Sequence, residues 1–117
     1  MEIQLKIALS KSKGFPFMGP GPLRLLEKIR EYKSIHKAAK SMNLSYVKAL
    51  NMMNRLEKSL DQKMLLRTRG GNDGGGTQLT QYAETYIALY KTLEQNINEY
   101  AQNELSKLSK GIDKVRK

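Results

Sequence analysis

The amino-acid sequence predicts a mainly helical domain with a small β component, and three observations carry that expectation. Apolar residues recur at helical spacing from Leu23 to Leu60 and again from Ala83 onward, Met1 to Leu9 alternates at period two, and a glycine-rich stretch, GGNDGGGT, separates two short β-favouring segments. Two of the helices meet at a tight polar turn within Ser34 to Leu60. The architecture that accommodates all of these features is a winged helix-turn-helix with an N-terminal β-hairpin and a long C-terminal helix.

With 117 residues, 39% hydrophobic and 27% charged, the chain can bury one modest core, so residues 1–117 are read as a single domain. No apolar run approaches the roughly 20 residues that span a bilayer. Met1 to Leu9 alternates instead of forming the apolar region of a signal peptide, and the expectation is a cytoplasmic protein with no membrane partner. Having no cysteine and one histidine, His36, the chain lacks the residues for disulfides, thiol catalysis or a Cys/His zinc site. No metal, cofactor or catalytic residue is expected.

Taken in order, residues 1–18 place Ile3, Leu5, Ile7 and Leu9 on one side of a half-buried strand, followed by the turn KSKG and a return through Phe15-Pro16-Phe17-Met18. Pro16 confines that return to an edge or a bulge. Residues 22–60 form a tri-helical core. Its first helix starts near Pro22, carries Leu23, Leu26 and Ile29, and ends at Lys33-Ser34.

Ser34 then caps a short helix with Ile35, Ala38, Ala39 and Met42 on one stripe. Asn43 occupies the slot where the turn needs a left-handed residue, which Asn tolerates best after Gly. Ser45 caps the next helix, on which Ala49, Met53, Leu56 and Leu60 face inward. Val47, Asn51, Asn54 and Lys58 point the opposite way, flanked by Lys48 and Arg55. That free face offers amide and cationic groups suited to base edges and phosphates. An ordinary helical hairpin with solvated lysines has the same local pattern, so the surrounding chain has to decide.

Residues 63–79 read as the wing: Met64 to Arg67 and Thr77 to Leu79 are short strands around a glycine-rich loop. Arg67, Thr68 and Arg69 stand where such a hairpin reaches phosphates or a minor groove. A nucleotide phosphate loop is the rival reading, but GGNDGGGT lacks the lysine of G-x-x-x-x-G-K-[ST] and the spacing of G-x-G-x-x-G. Thr80 caps a helix expected over 80–108, where Ala83, Tyr86, Tyr90, Leu93, Ile97 and Tyr100 recur at steps of three and four as a seam for a partner helix. Glu104 interrupts the seam, and 109–117 is expected to be a separate basic tail.

The net charge is +10, and it is unevenly placed: residues 1–60 carry 12 Lys/Arg against 4 Asp/Glu, whereas 77–117 carry 6 against 5. A basic excess concentrated on the motif favours a polyanionic partner.

Three motifs carry a resemblance: S-I-x-K-A-A-K-x-x-x-x-S-Y-x-x-A, then L-E-x-x-L, then R-x-x-G-G-x-x-G-G-G-x-x-L-T-x-Y. Over about residues 3–95 the chain resembles the DNA-binding domain of molybdate-responsive, ModE-like regulators and, less specifically, the LysR-type winged helix-turn-helix. The double-glycine wing followed by Leu79-Thr80-x-Tyr82 is the most specific part. The resemblance implies a homodimer, joined through the terminal helix, on a palindromic operator. It also implies DNA contact at Ser45, Tyr46, Lys48 and Asn51 and at wing residues Arg67 and Arg69. Full-length members of that family continue into an oxyanion-binding β-domain that these 117 residues do not contain. The expectation is therefore a regulator without that sensor and with no tight small-molecule ligand.

The candidate DNA-contacting set is Ser34, Lys37, Ser45, Tyr46, Val47, Lys48, Asn51, Asn54, Arg55, Arg67 and Arg69, with double-stranded DNA and a second copy of the chain as partners. Sequence-specific regulation is the expected function. A non-specific nucleic-acid-binding or nucleoid-architectural role is the alternative, and an enzyme is disfavoured because no carboxylate pair or metal-ligand cluster accompanies His36.

Overall fold

The computed structural model describes residues 1–12, 14–68 and 76–116. Along them run α1 (Pro20–Tyr32), α2 (Ile35–Ser41), α3 (Tyr46–Leu60), β1 (Leu65–Thr68), β2 (Gly76–Leu79) and α4 (Gln81–Val115).

Each boundary has a local cause. Pro20 and Pro22 lie in the first turn of α1, where a backbone N–H has no helical acceptor to lose. Lys33 closes α1 in the left-handed region at φ 56°. Its carbonyl then accepts the Thr77 N–H at 3.0 Å, which ties the end of α1 to the wing. Ser34 Oγ accepts from the Lys37 N–H at 3.1 Å and Ser45 Oγ from the Lys48 N–H at 3.0 Å, so both motif helices begin on side-chain caps. Between them Asn43 adopts φ 57°, the left-handed residue the turn requires.

After α3 the chain reverses through Asp61 at φ 51°. Here Glu57 acts at a distance of seven and eight residues: its Oε2 accepts from the N–H groups of Met64 at 2.8 Å and Leu65 at 3.3 Å. An ionised acceptor suits two converging backbone donors. Strands β1 and β2 pair antiparallel, from Leu65 opposite Leu79 to Thr68 opposite Gly76. Thr80 joins wing to helix by accepting the Ala83 N–H at 3.0 Å and donating to the Lys63 carbonyl at 2.7 Å.

The core lies where these elements meet. Leu25, Leu26 and Ile29 of α1, Ile35, Ala38 and Ala39 of α2, Ala49, Met53 and Leu56 of α3, Met64 and Leu65 of the wing, and Ala83, Ile87 and Tyr90 of α4 are buried in one cluster. Only the first three turns of α4 belong to it. Those turns are clamped further by a bidentate pair from Arg30 Nε and Nη2 to Glu84, at 3.0 and 2.7 Å, by Lys91 on Glu27, and by the Tyr90 hydroxyl donating to the Ile7 carbonyl at 2.5 Å. The rest of the helix projects, giving the molecule a long axis of 72 Å against 29 and 24 Å.

Three expectations need correction. The hairpin expected over 1–18 contracts to a single antiparallel bridge between Leu9 and Met18. Pro16 has no N–H to extend the ladder, and the Leu9 carbonyl accepts from both Phe17 (2.9 Å) and Met18 (3.3 Å), so the chain turns instead of running alongside. As a result Leu5 is exposed, while Ile3, Ile7 and Leu9 are half-buried. α1 starts two residues earlier than Pro22, at Pro20. Finally α4 continues to Val115 rather than stopping at 108, taking most of the expected tail into the helix. Glu104 does not break it, because it sits exposed and pairs with Lys107 one turn on at 3.5 Å. Gly111 costs about 1 kcal/mol of helix propensity, which long flanking helix can absorb.

Candidate nucleic-acid interface

The two sides of α3 separate as helical geometry demands. Ala49, Met53 and Leu56 are buried, and Val47, Lys48, Asn51, Asn54, Arg55 and Lys58 are all exposed. Val47 is 64% exposed, an apolar group on the free face with no core to join. Ser45 and Ser34 accept backbone N–H groups as caps, which leaves each hydroxyl hydrogen free to meet a further acceptor. Lys37 and Lys40 on α2 are exposed beside them.

Tyr46, expected among the DNA contacts, stands apart from the free face. It is half-buried against the core, with its ring stacked on His36 at 3.9 Å between centroids and 6° between planes. As the first residue of α3 it lies about 60° around the helix from buried Ala49, at 100° per residue, and so nearer the inner side. It braces α3 against α2 and leaves the outward face to Val47, Lys48, Asn51 and Asn54.

The wing stands against one flank of α3. A groove of about 450 Å³ lies between them, lined by Asn54 and Glu57 on the helix and Lys63, Leu65, Leu66 and Arg67 on the wing side. Glu57 is already engaged by the Met64 and Leu65 amides, so the groove's outward chemistry comes from the Asn54 amide, Lys63 and Arg67. Arg67 is exposed on β1; Arg69 lies outside the described residues. On the opposite flank the Arg55 guanidinium sits over the ring of Phe15, with Cζ 4.8 Å from the centroid. Sequence reasoning missed Lys63, Phe15 and the His36 stack. Lys63 could have been found from its place at the start of the wing, whereas Phe15 and His36 act across turns with no periodic signal.

The six residues expected to form a partner-binding seam on α4 divide. Ala83 and Tyr90 are buried in the protomer's own core, along with Ile87, which the seam omitted. Tyr86 is half-buried, and its hydroxyl is enclosed with no hydrogen-bond partner among the described residues. Burial raises the pKa of both the Tyr86 and Tyr90 phenols, because their anions would be poorly solvated. Leu93, Ile97 and Tyr100 remain exposed, with Leu89 beside them and Leu108 and Val115 further along.

Residues 21–84, from α1 through the first turn of α4, match the family model of the bacterial regulatory helix-turn-helix proteins of the lysR family. The chain belongs to this family. It is similar to the transcriptional regulator ModE of Haemophilus influenzae, 37% identical over 97% of this chain and 43% of that protein. It is also similar to the molybdenum transport protein ModE of Azotobacter vinelandii, 39% identical over 80% of this chain and 33% of that protein. The DNA-binding transcriptional dual regulator ModE of Escherichia coli K12 is 34% identical over 68% of this chain and 30% of its own length. The chain thus spans less than half the length of these regulators. Among solved structures, a probable transcriptional regulator of Pseudomonas aeruginosa shares 24% identity, with a TM-score of 0.47 over 68% of this chain and 26% of that one. Among the described residues no helix is long and apolar enough to cross a membrane, and no cluster of acidic or histidine side chains could hold a metal ion.

Proposed function

We propose that this lysR-family chain is the DNA-reading part of a cytoplasmic transcription regulator that works as a homodimer on an inverted repeat. The observation that carries the reading is the free face of α3: amides and cations stand on one exposed side, next to a wing that adds Lys63 and Arg67. In the major groove Asn51 and Asn54 meet base edges, Asn being suited to bidentate contact with adenine. Lys48, Arg55, Lys58 and Arg67 meet phosphates, which fixes register without reading sequence. Ser34, Lys37 and Ser45, at the starts of the two motif helices, take the adjoining backbone. Arg69, two residues further along the sequence, supplies one more cation for a phosphate.

The exposed stripe Leu89, Leu93, Ile97 and Tyr100 supports the dimer, since large apolar groups in a row on a projecting helix call for a partner surface. A two-fold pair of α4 helices sets two copies of α3 about 34 Å apart, or a multiple of it, along one side of a duplex.

The test is selection of bound sequences from a random duplex pool, followed by competition against unselected duplex. Enrichment of an inverted repeat is expected. Binding of every sequence alike would discard operator reading in favour of an architectural role.

A further inference from the structure

The flank of α3 away from the wing is closed by a loop that lies outside the helix-turn-helix motif. Its base is pinned by the Leu9 and Met18 bridge and by Met18, which is buried to 1% exposure. Its turn is shaped by the Ser10 hydroxyl donating to the Ser12 carbonyl at 3.0 Å and by the Gly14 N–H donating to the Lys11 carbonyl at 3.1 Å. From this anchored loop Phe15 is held out at 76% exposure, in contact with the guanidinium of Arg55. Among the described residues no acceptor takes an Arg55 N–H, so its five donors remain available.

We infer that Phe15 is a positioning residue for DNA binding: its ring holds the Arg55 guanidinium beside the outward face of α3, ready for a phosphate on the flank opposite the wing. The inference rests on the DNA-reading function proposed above. An arginine on an exposed helix face gives up rotamer freedom when it is fixed on a ligand. Contact with an aromatic ring restricts the side chain before binding, while the N–H groups stay free to fork onto a phosphate. α3 is then bracketed by two backbone contacts, Arg67 from the wing on one flank and Arg55 backed by Phe15 on the other.

The experiment measures fluorescence anisotropy of a short mixed-sequence duplex over a series of KCl concentrations. The proteins compared are wild type, Phe15→Ala, Phe15→Leu, Phe15→Trp, Arg55→Ala and the Phe15→Ala/Arg55→Ala double variant. Thermal melts accompany them and should shift by no more than a few degrees, since an exposed side chain leaves no cavity and one surface contact is lost. Arg55→Ala should flatten the salt slope by about 0.9, the share of one phosphate contact. Phe15→Ala should move the slope the same way and weaken binding by about two- to five-fold, the size of an exposed cation–π contact. Phe15→Trp should restore wild-type behaviour and Phe15→Leu should not, because leucine keeps apolar bulk without a π face. The double variant should bind no more weakly than Arg55→Ala. Wild-type binding by Phe15→Ala, full rescue by leucine, or an undiminished Phe15 effect in the Arg55→Ala background would each overturn the inference while leaving DNA binding intact. A wild-type protein that binds no duplex would remove the DNA reading together with it.

Discussion

At the scale of single residues, the proposed interface divides base-reading from phosphate-holding groups, and variants should separate the same way. Asn51→Ala should lose about 1–3 kcal/mol of discrimination at one operator position and keep its affinity for unrelated duplex. Arg67→Ala should weaken all sequences alike. Competition titrations of both variants decide this, and parallel losses on both kinds of DNA would refute the division. Glu57 belongs to the same scale but to stability. Its carboxylate is the acceptor for two amides at the entry to β1, so Glu57→Ala should cost about 1.5–3 kcal/mol in urea unfolding, the value of a hydrogen bond to a charged group. An unchanged urea midpoint would show that water replaces it freely. Several residue-level features could be read from the chain itself: the Ser34 and Ser45 caps and left-handed Asn43 follow from short-range chemistry that the local sequence contains. The placement of Tyr46 could not, because its partner His36 comes from the preceding helix and only tertiary packing brings the rings together.

At the scale of elements, periodicity is an accurate guide to α3, which has both a cap and a core to face. It named the buried and free sides of α3 correctly, and it placed β1 and β2 within a residue or two. It misjudged the two ends of the chain. Alternation in Met1 to Leu9 signalled a half-buried strand, yet strand pairing needs a second donor row, which Pro16 interrupts. On α4 a single apolar stripe concealed two duties, since spacing alone cannot tell whether Ala83 and Tyr90 are covered by the same chain or another. The joint between α1 and α4 offers a pH test. The Arg30 hydrogen bonds hold the Glu84 carboxyl below the ordinary carboxylate range, and the same contact raises Arg30. A lowered acid pKa contributes stability that is present above the unfolded value near 4.5 and disappears as pH falls through the folded one. Both side chains are more than a third exposed, so solvent screening limits the contribution to about 0.5–1 kcal/mol. Urea titrations of wild type and Glu84→Gln should differ by that amount at neutral pH and converge in acid; a difference that persists below pH about 3 would assign the effect to packing.

For the whole molecule, the expected outcome is a dimer joined along the projecting part of α4. Replacing Leu93 and Ile97 together by glutamate should yield monomers, seen by sedimentation, and weaken operator binding while leaving helical content unchanged. Neither residue belongs to the buried core cluster, so the domain has no reason to unfold. A wild-type protein that sediments as a monomer at tens of micromolar, where an interface of ordinary size holds together, would eliminate the dimer.

The way α4 is rooted has a mechanical consequence. At about 1.5 Å per residue, its 35 residues make a rod roughly 52 Å long that, among the described residues, is gripped near one end by Glu84, Tyr90 and Lys91. Such a rod is a lever with its pivot at the first three turns. Rotating it by about 5° at the pivot swings the far tip by roughly 3–4 Å, comparable to the rise of a base-pair step at about 3.4 Å. In the proposed dimer, any influence that tilts the distal turns, or the grip of Arg30 and Glu27 on the near ones, would thereby become a change of spacing on the scale of DNA itself.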